Sequence, residues 1–493
     1  MTLIFAYFLV VVYGFSMFFI FAFNVWQGYL VFLFYKYKQK PAVVLPKILP
    51  QNLPVVTLQL PIYNEMYVVA RLLNQVTLLN YPKNKLEIQL LDDSTDQTTE
   101  IAAKIIAEMR LKGIDVQHIR RTERTGYKAG ALAEGLGASK GEFLAIFDAD
   151  FLPQPDFLLE MLPMFYENEK IGLVQSRWGH INEADGWLTR LQAFFLNAHF
   201  TIEHLSRKQG GGFINFNGSG GIWRKTCIID AGGWSADTLT EDLDLSYRAQ
   251  LKGWAFGYMP QVTSPAELPA NINALKSQQH RWNKGAAECV RKNLLNVLKN
   301  KQIGYKTKLH AIFHLGNSSI FLCIAAGAIC SLPLFVLSQK FVFLNVFFRL
   351  GSFFLCGFFL LIIFFWTSYE AKPKNFLRFL GRFVGFVSVS MGLSLYNSIA
   401  VLEGYLGIKT PFVRTPKFSQ NKDINPSENL YLSQKFPVFS LLEFAFALYF
   451  ALGIWLSFYF KDYSLLIFYV LLCGGFGVVS LKSVFQFLNK SAT

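Results

Sequence analysis

The sequence predicts an α/β domain inserted between transmembrane α-helices. Of its 493 residues, 52% are hydrophobic and only 16% are charged, which is too apolar for an ordinary soluble protein. Apolar runs of membrane-spanning length lie on both sides of a middle region that is rich in charges, glycine and proline. Within that region a strand, a polar loop and a helical segment follow one another twice, which is the pattern of a parallel sheet with crossover helices.

The first apolar run has no charged residue from Thr2 to Tyr35. It exceeds the roughly 20 residues that a spanning helix needs. It also lacks a basic leading segment and a small-residue cleavage site, so we expect residues 1–40 to be a retained membrane anchor rather than a signal peptide. The basic stretch Lys36 to Lys40 that closes the run places the next region on the cytoplasmic side.

Residues 41–308 are predicted to be one soluble, cytoplasmic domain, and residues 309–493 a membrane domain. Further apolar runs lie at 309–337, 341–366, 378–405, 437–460 and 463–488. The run 378–405 has basic residues on both sides, so both ends are predicted to be cytoplasmic. Because 28 residues are too few for two crossings, we expect a helix at the cytoplasmic interface and five spans in all. The alternative is a sixth span that leaves the 406–436 loop outside.

These features predict a multi-pass integral membrane protein, in the inner or plasma membrane if the source is bacterial. The net charge of +14 is spread over membrane-flanking loops and the polar motifs. Anionic lipid headgroups and a nucleotide diphosphate explain it better than nucleic acid does. The six cysteines have no metal-ligand spacing. Nothing in the sequence bears on oligomeric state.

Polar loops follow the first two predicted strands. The run Val55 to Leu60 ends in a loop at Pro61, and the run Leu86 to Leu91 ends at Asp92 and Asp93. In parallel α/β sheets, ligands collect at the carboxyl ends of strands, so these two acids are candidate ligand-binding residues, although they also suit a helix cap. Lys128, at the start of a small-residue helix, is a candidate for contact with a nucleotide phosphate or base.

Asp148 and Asp150 follow the apolar strand Phe143 to Phe147. In an extended segment, residues two apart project to the same side, so both carboxylates can converge on one cation. Oxygen ligands of this kind suit Mg²⁺ or Mn²⁺, whose coordination shell substrate phosphates complete. Such a cation would neutralise a leaving diphosphate as a glycosidic bond breaks.

Two later motifs supply the remaining groups that transfer of a sugar to an acceptor hydroxyl requires. Asp242 is the predicted general base, with Glu241 as the alternative, although acids here also suit a helix N-terminus. Arg281 can bind two diphosphate oxygens with its planar fork, and Gln278 adds an amide donor. Trp282 offers a flat face to an acceptor sugar, although tryptophan near a membrane is often an interfacial anchor. His280 is predicted to be structural.

The ordered motifs resemble the membrane-embedded family 2 glycosyltransferases, the group of cellulose, chitin and hyaluronan synthases. Within it, the plant cellulose-synthase-like A and C proteins, mannan and glucan synthases, are the most similar. The resemblance is carried by Gln59 to Glu65, Gln175 to Trp178, Phe216 to Arg224, Ala231 to Trp234, Glu267 to Pro269, Gln278 to Trp282 and Phe412 to Lys417. It spans most of the chain after residue 55.

This resemblance implies a GT-A fold, a nucleotide-sugar-binding α/β domain beside a helical membrane channel, and chemistry that inverts the anomeric centre. It implies that Asp93 contacts the base, that Asp148 and Asp150 contact the diphosphate and metal, and that Asp242 is the catalytic base. It further implies that Gln278, Arg281 and Trp282 hold diphosphate and acceptor. The segment Phe412 to Lys417 resembles a gating loop, so residues 406–436 are a candidate lid whose Arg414 and Lys417 contact the diphosphate.

The predicted function is processive extension of a β-glycan from UDP-glucose or GDP-mannose, coupled to export through the membrane helices. A non-processive transferase that adds one sugar to a lipid is the alternative, since its chemistry needs the same groups. A non-catalytic transporter is a remote alternative, because it would not need clustered carboxylates and the spans contain few charges.

Overall fold

A computed structural model describes residues 2–38, 53–369, 375–410, 413–417, 431 and 436–491. Phe412 and most of the predicted lid between 418 and 436 lie outside the described residues.

The described part of the middle domain is built on a seven-stranded sheet with the order β3-β2-β1-β4-β6-β5-β7. The strands are β1 (Val56–Ile62), β2 (Leu86–Asp92), β3 (Asp115–Arg120), β4 (Phe143–Ile146), β5 (Ile171–His180), β6 (Gly221–Arg224) and β7 (Ala255–Ala266). The strands β1 to β4 are parallel, as the repeated strand and helix pattern predicts. The sheet as a whole is mixed, because β6 runs antiparallel between β4 and β5.

The central strands β1 and β2 are buried on both faces. Val56, Leu58 and Leu60 of β1 point into one core. The polar side chains on the other face are paired across parallel strands. Thr57 Oγ1 donates to Glu87 Oε2 at 2.6 Å, and Gln59 Nε2 donates to Gln89 Oε1 at 3.1 Å. These buried hydrogen bonds match the register in which residue 59 lies opposite residue 89.

Helices cover both faces of the sheet and lead towards the membrane domain. The α-helices of the middle domain are Val69–Val76, Thr98–Leu111, Tyr127–Ala138, Phe157–Met161, Pro163–Glu167, Trp187–Ala198, His204–Gln209, Lys225–Asp230, Glu241–Leu251, Ile272–Cys289 and Leu295–Lys299. Two π-helical segments, His199–Glu203 and Val290–Leu294, join neighbouring helices, and short 3₁₀ turns lie at Lys83–Lys85 and Glu183–Asp185.

Outside this domain the described chain is helical. The helices are Thr2–Lys38, Tyr305–Leu315, Ile320–Ser338, Val342–Gly351, Leu355–Ser368, Phe376–Leu406, Phe439–Tyr459 and Leu466–Ser491, with 3₁₀ turns at Gly316–Ser319 and Ser352–Phe354. Together they provide six segments that are long and apolar enough to cross a membrane: Thr2–Tyr37, Tyr305–Ser338, Val342–Ser368, Phe376–Leu406, Phe439–Tyr459 and Leu466–Leu488. The chain is therefore a multi-pass membrane protein.

The Phe376–Leu406 helix covers the run predicted to lie at the interface. Its 31 residues extend about 46 Å, so its length permits a crossing, and its placement at the interface stays a prediction. Its small residues pack against other helices: a Cβ on Gly392 would lie 2.3 Å from the Gly475 carbonyl oxygen. Such close approach of backbones is typical of helices that pack inside a membrane.

Candidate active site

One cavity gathers all but one of the residues predicted to form the site. Its space, including the part open to solvent, is about 1270 Å³. The predicted residues that line it are Asp93, Lys128, Asp148, Asp150, Glu241, Asp242, Gln278, Arg281, Trp282, Arg414 and Lys417. The cavity lies where β1, β2 and β4 end, since Ile62, Asp93 and Asp148 all contribute to its wall. This is the edge of the sheet at which ligands of α/β domains collect.

Asp92 is the exception. Its carboxylate is buried and accepts hydrogen bonds from Ser94 N at 2.8 Å and Thr99 Oγ1 at 2.9 Å. His118 Nε2 lies 2.8 Å from the same carboxylate. These contacts hold the loop and the next strand together, and Asp92 does not line the cavity. The prediction that Asp92 belongs to the donor site is therefore not supported. Asp92 stabilises the loop, whereas its neighbour Asp93 lines the cavity.

Asp93 is held in place by arginines. Arg121 binds both of its carboxylate oxygens, with Nε at 2.9 Å and Nη2 at 2.5 Å. Arg124 Nε lies 4.0 Å from Asp93, and its guanidinium stacks on the ring of Tyr63, 3.3 Å from the ring centroid. The two-point contact from Arg121 fixes the carboxylate in one orientation at the cavity wall.

Asp148 and Asp150 reach the cavity by a different route from the one expected. The chain leaves β4 and turns, with Phe151 N donating to Asp148 O at 3.0 Å, so the segment is not extended. Lys128 Nζ lies 2.5 Å from Asp148 Oδ1, and Lys417 Nζ lies 2.7 Å from Asp150 Oδ2. Each carboxylate thus faces the cavity beside its own lysine.

Lys128 connects this pair of acids to the predicted base. Besides Asp148, it donates to Gly218 O at 2.8 Å and lies 3.8 Å from Glu241 Oε1. Burial acts to lower the pKa of Lys128, but Asp148 and Glu241 outweigh it and raise that pKa, so the lysine stays charged. Gly218 has a φ of 80°, and a Cβ there would lie 3.1 Å from Asp242 Oδ2. A glycine is therefore required beside the predicted base.

Asp242 and Glu241 open the Glu241–Leu251 helix, as predicted. Burial, reinforced by the neighbouring charge of Glu241, raises the pKa of Asp242 to about 7. Burial also raises the pKa of Glu241, against the attraction of Lys128. A carboxylate that titrates near neutral pH is suited to accept a proton, because it is a stronger base than an exposed aspartate and is still substantially ionised.

Gln278, Arg281 and Trp282 lie on one side of the Ile272–Cys289 helix, here called the site helix. Arg281 Nη2 donates to Thr415 Oγ1 at 2.8 Å, which links the site helix to the predicted lid. Trp282 packs near Leu196 and Leu268, and all three line the cavity. His280, predicted to be structural, lies outside the cavity lining and is 3.3 Å from Glu403 Oε2.

Within the described residues of the predicted lid, Arg414, Thr415 and Lys417 line the cavity. Arg414 makes a two-point contact with Glu65, with Nε–Oε1 at 2.9 Å and Nη2–Oε2 at 2.6 Å. Burial raises the pKa of Glu65 to about 7 even though Arg414 opposes the shift. The lid segment is thus tied to the ends of two strands, through Glu65 after β1 and Asp150 after β4.

Glu65 and Glu267 are cavity residues that the sequence reasoning did not single out. Both occur in motifs that carry the family resemblance, and Glu65 follows a strand end, so the rule that selected Asp93 would also have found it. Glu267 N donates to Asp150 Oδ2 at 3.3 Å, and its carboxylate pairs with Arg71 at 3.2 Å. Glu267 follows β7, a strand that the sequence analysis did not identify.

Asp148 and Asp150 together fit a hard divalent cation. Among the described residues, no group of three or more His, Cys, Asp and Glu side chains is placed to hold a metal by itself. Two carboxylate side chains on one wall are nevertheless the usual protein contribution to a site for Mg²⁺ or Mn²⁺ in which phosphate oxygens and water supply the rest. The donor set therefore suits a metal that binds together with a diphosphate.

The mixed seven-stranded sheet, with its cavity at the carboxyl ends of the strands, defines a GT-A-type domain flanked by membrane helices. Residues 54–285 match the family described as "Glycosyltransferase like family 2". The middle domain is thus similar to the family 2 glycosyltransferases, and the resemblance found in the motifs is confirmed.

Curated relatives show the same similarity. The chain is 40% identical over 273 residues to glucomannan 4-beta-mannosyltransferase 1 of Oryza sativa subsp. japonica, covering 55% of this chain and 52% of the relative. It is 40% identical over 293 residues to glucomannan 4-beta-mannosyltransferase 2 of Arabidopsis thaliana, covering 58% and 55%. The chain thus spans about half the length of the curated relatives it matches.

The fold is shared with a mannosyltransferase from Pyrobaculum calidifontis that was solved in complex with GDP-Man and Mn²⁺. The TM-score is 0.56 at 17% sequence identity, covering 81% of this chain and 99% of that one. At this identity the likeness concerns the fold.

Proposed function

We propose that the protein is an inverting hexosyltransferase that extends a β-glycan from a nucleotide diphosphate sugar and passes the product through its membrane helices. The observation that carries this proposal is the convergence of Asp93, Asp148, Asp150, Asp242 and Arg281 in one cavity. Asp93 and Arg281, the outermost of these residues, are 188 positions apart in sequence, and no packing requirement explains why so many charges share one cavity.

Each group has a role in the proposed reaction. Asp93 would contact the nucleotide base, and Lys128, Arg281, Arg414 and Lys417 would neutralise the diphosphate. Asp148 and Asp150 would hold Mg²⁺ or Mn²⁺, which supplies charge neutralisation for the leaving diphosphate.

The acceptor side of the cavity would supply the other half of the reaction. Trp282 would support the acceptor sugar, and Gln278 would donate to a polar group of donor or acceptor. Asp242 would take the proton from the attacking hydroxyl, with Glu241 beside it keeping the carboxyl pKa high. Attack from the side opposite the departing diphosphate converts an α-linked donor into a β-linked product.

GDP-mannose is the preferred donor in this proposal, and UDP-glucose is the second. The preference is supported by the printed names of the curated relatives, which are glucomannan mannosyltransferases. Six candidate spans support a membrane location, and the catalytic domain is proposed to face the cytoplasm, where nucleotide sugars are made. Processive and single addition differ in the length of the product, so product size is the central readout.

The test uses the full chain in detergent or nanodiscs, with a panel of labelled nucleotide sugars and Mg²⁺ or Mn²⁺. We expect polymer that a β-mannan- or β-glucan-specific hydrolase digests, and we expect none from the Asp242→Asn variant. Only short glycolipid under excess donor would favour the non-processive alternative. Transfer from no nucleotide sugar by the wild-type protein, with its fold intact, would refute the proposal.

A further inference from the structure

The site helix has a second charged face, opposite the one that lines the cavity. Lys276, His280 and Lys284 recur at four-residue intervals, which places them within about 80° of one another around the helix axis. The centre of the face that carries Gln278, Arg281 and Trp282 lies roughly 150° away. One helix therefore presents the proposed substrate contacts on one side and a basic stripe on the other.

The basic stripe contacts two carboxylates, Glu403 of the Phe376–Leu406 helix and Glu443 of the Phe439–Tyr459 helix. Lys276 Nζ lies 2.6 Å from Glu443 Oε2 and 2.9 Å from Ser483 Oγ, and the Glu443 side chain is fully buried. Lys284 Nζ lies 3.2 Å from Glu403 Oε2, the carboxylate that His280 also contacts. The stripe thus joins the site helix to the Phe376–Leu406 and Phe439–Tyr459 helices.

A buried ion pair of this kind is better evidence for positioning than for stability. Removing two charges from water costs about as much as their attraction returns, so an apolar pair of similar volume would hold the helices together equally well. The pair between Lys276 and Glu443, however, is satisfied only when the two helices occupy one relative position. Glu443 also lies within a candidate span, where carboxylates are rare and costly.

The site helix also packs directly against the segment that precedes the proposed base, Asp242. A Cβ on Gly285 would lie 2.5 Å from Thr240 Cγ2, so the helix backbone touches the residue two before Asp242. On the membrane side, a Cβ on Gly404 would lie 2.5 Å from the carbonyl oxygen of Lys284. The site helix is therefore closely packed between the Phe376–Leu406 helix and the start of the Glu241–Leu251 helix.

We propose that the Lys276–Glu443 pair, assisted by Lys284 and Glu403, is a positioning element that aligns the site helix with the catalytic cavity. Through these contacts, the Phe376–Leu406 and Phe439–Tyr459 helices set the placement of Arg281 and Trp282 relative to Asp242. The inference rests on the proposed function for the reaction step that it controls. Its physical content, a helix held in register by a buried ion pair, is measurable without any substrate.

The experiment compares Lys276→Met, Glu443→Leu and the double variant in the full chain, reconstituted in nanodiscs. Three quantities are measured: the thermal unfolding midpoint, the hydrogen exchange of backbone amides in the site helix, and the rate of sugar transfer. The matched control is Glu183→Gln, which breaks a pair between Arg382 of the Phe376–Leu406 helix and the middle domain without touching the site helix.

Each single variant is expected to lower transfer at least tenfold and to speed amide exchange in the site helix. In the double variant, the unfolding midpoint is expected to return to within a few degrees of wild type, while transfer and exchange stay altered. Full recovery of transfer in the double variant would reduce the pair to a structural role and overturn the inference. Transfer unchanged in both single variants would overturn it as well.

The two proposals fail in different ways. If the wild-type protein transfers no sugar but exchange in the site helix responds as expected, the proposed function fails and the positioning of the helix stands. If the wild-type protein is active and the two single variants resemble Glu183→Gln in every measurement, the positioning inference fails alone.

Discussion

Replacement of Asp242 by asparagine is the most direct test of how the cavity would work. Burial and the charge of Glu241 raise the pKa of this carboxyl to about 7, so about a tenth of the molecules carry the ionised base at pH 6 and about nine tenths at pH 8. If Asp242 is the general base, kcat/KM should rise about ninefold between these two pH values. Asp242→Asn should lower transfer by at least about a hundredfold and remove this dependence.

The same substitution should stabilise the fold, which separates a chemical effect from unfolding. The pKa of Asp242 in the folded protein is higher than that of an exposed aspartate, so the folded state binds an additional proton between about pH 4 and 7 and loses stability as pH rises through that window. The raised pKa corresponds to a destabilisation of the folded state by at most about 4 kcal/mol at pH 8. Water in the cavity screens the charge and makes this destabilisation smaller. Asparagine removes this cost, so its unfolding midpoint should exceed that of wild type at pH 8.

The assay is initial-rate transfer at subsaturating donor from pH 5.5 to 8.5, with thermal unfolding measured in the same buffers. Burial also raises the pKa of Glu65 to about 7, so Glu65→Gln is the necessary control. It should keep the inflection, because Glu65 pairs with Arg414 and is not the proposed base. A flat kcat/KM profile in wild type, or an inflection that disappears in Glu65→Gln but survives in Asp242→Asn, would refute the assignment.

Three further predictions follow from contacts in the cavity. Asp150→Asn should raise the Mg²⁺ or Mn²⁺ concentration needed for half-maximal transfer by at least about tenfold, whereas Asp230→Asn, outside the cavity lining, should leave it unchanged. Gly285→Ala should lower transfer at least about tenfold because its Cβ would lie 2.5 Å from Thr240, whereas Gly137→Ala, with open space around it, should not. Trp282→Ala should raise the acceptor KM at least about fivefold with little change in donor KM, and Trp282→Phe should restore part of the loss.

The sequence was sufficient for those parts of the site that depend on local pattern. Apolar strands followed by polar loops locate the ends of β1, β2 and β4, and the start of a helix at Glu241 follows from its acidic first turn. The strand-end rule also places Asp93 and Asp148 on one wall, because parallel neighbouring strands end at the same edge. Alternation cannot, however, show that Asp92 turns back to cap its own loop while Asp93 faces the cavity.

What the sequence did not predict depends on contacts between distant segments. The antiparallel placement of β6 follows from a connection through several helices, which no local period encodes. The pairing of Glu65 with Arg414 joins residues that are 349 positions apart. His280 is predicted to be structural, and the carboxylate beside it, Glu403, comes from the distant Phe376–Leu406 helix. In each case the sequence shows which chemical group the residue carries but not which distant residue it contacts.

The charge balance of the cavity gives a physical reason to expect a cation with the donor. Seven carboxylates line it against five lysine and arginine side chains, and two of these acids, Asp93 and Glu267, are paired with Arg121 and Arg71 from outside the lining. Raised pKa values at Glu65, Glu241 and Asp242 reduce the negative charge of the wall near neutral pH. Lys128 and Lys417 are themselves engaged by Asp148 and Asp150. A divalent cation at those two carboxylates would reverse the local sign and free both lysines for the phosphate oxygens, so metal and donor are expected to bind with positive cooperativity.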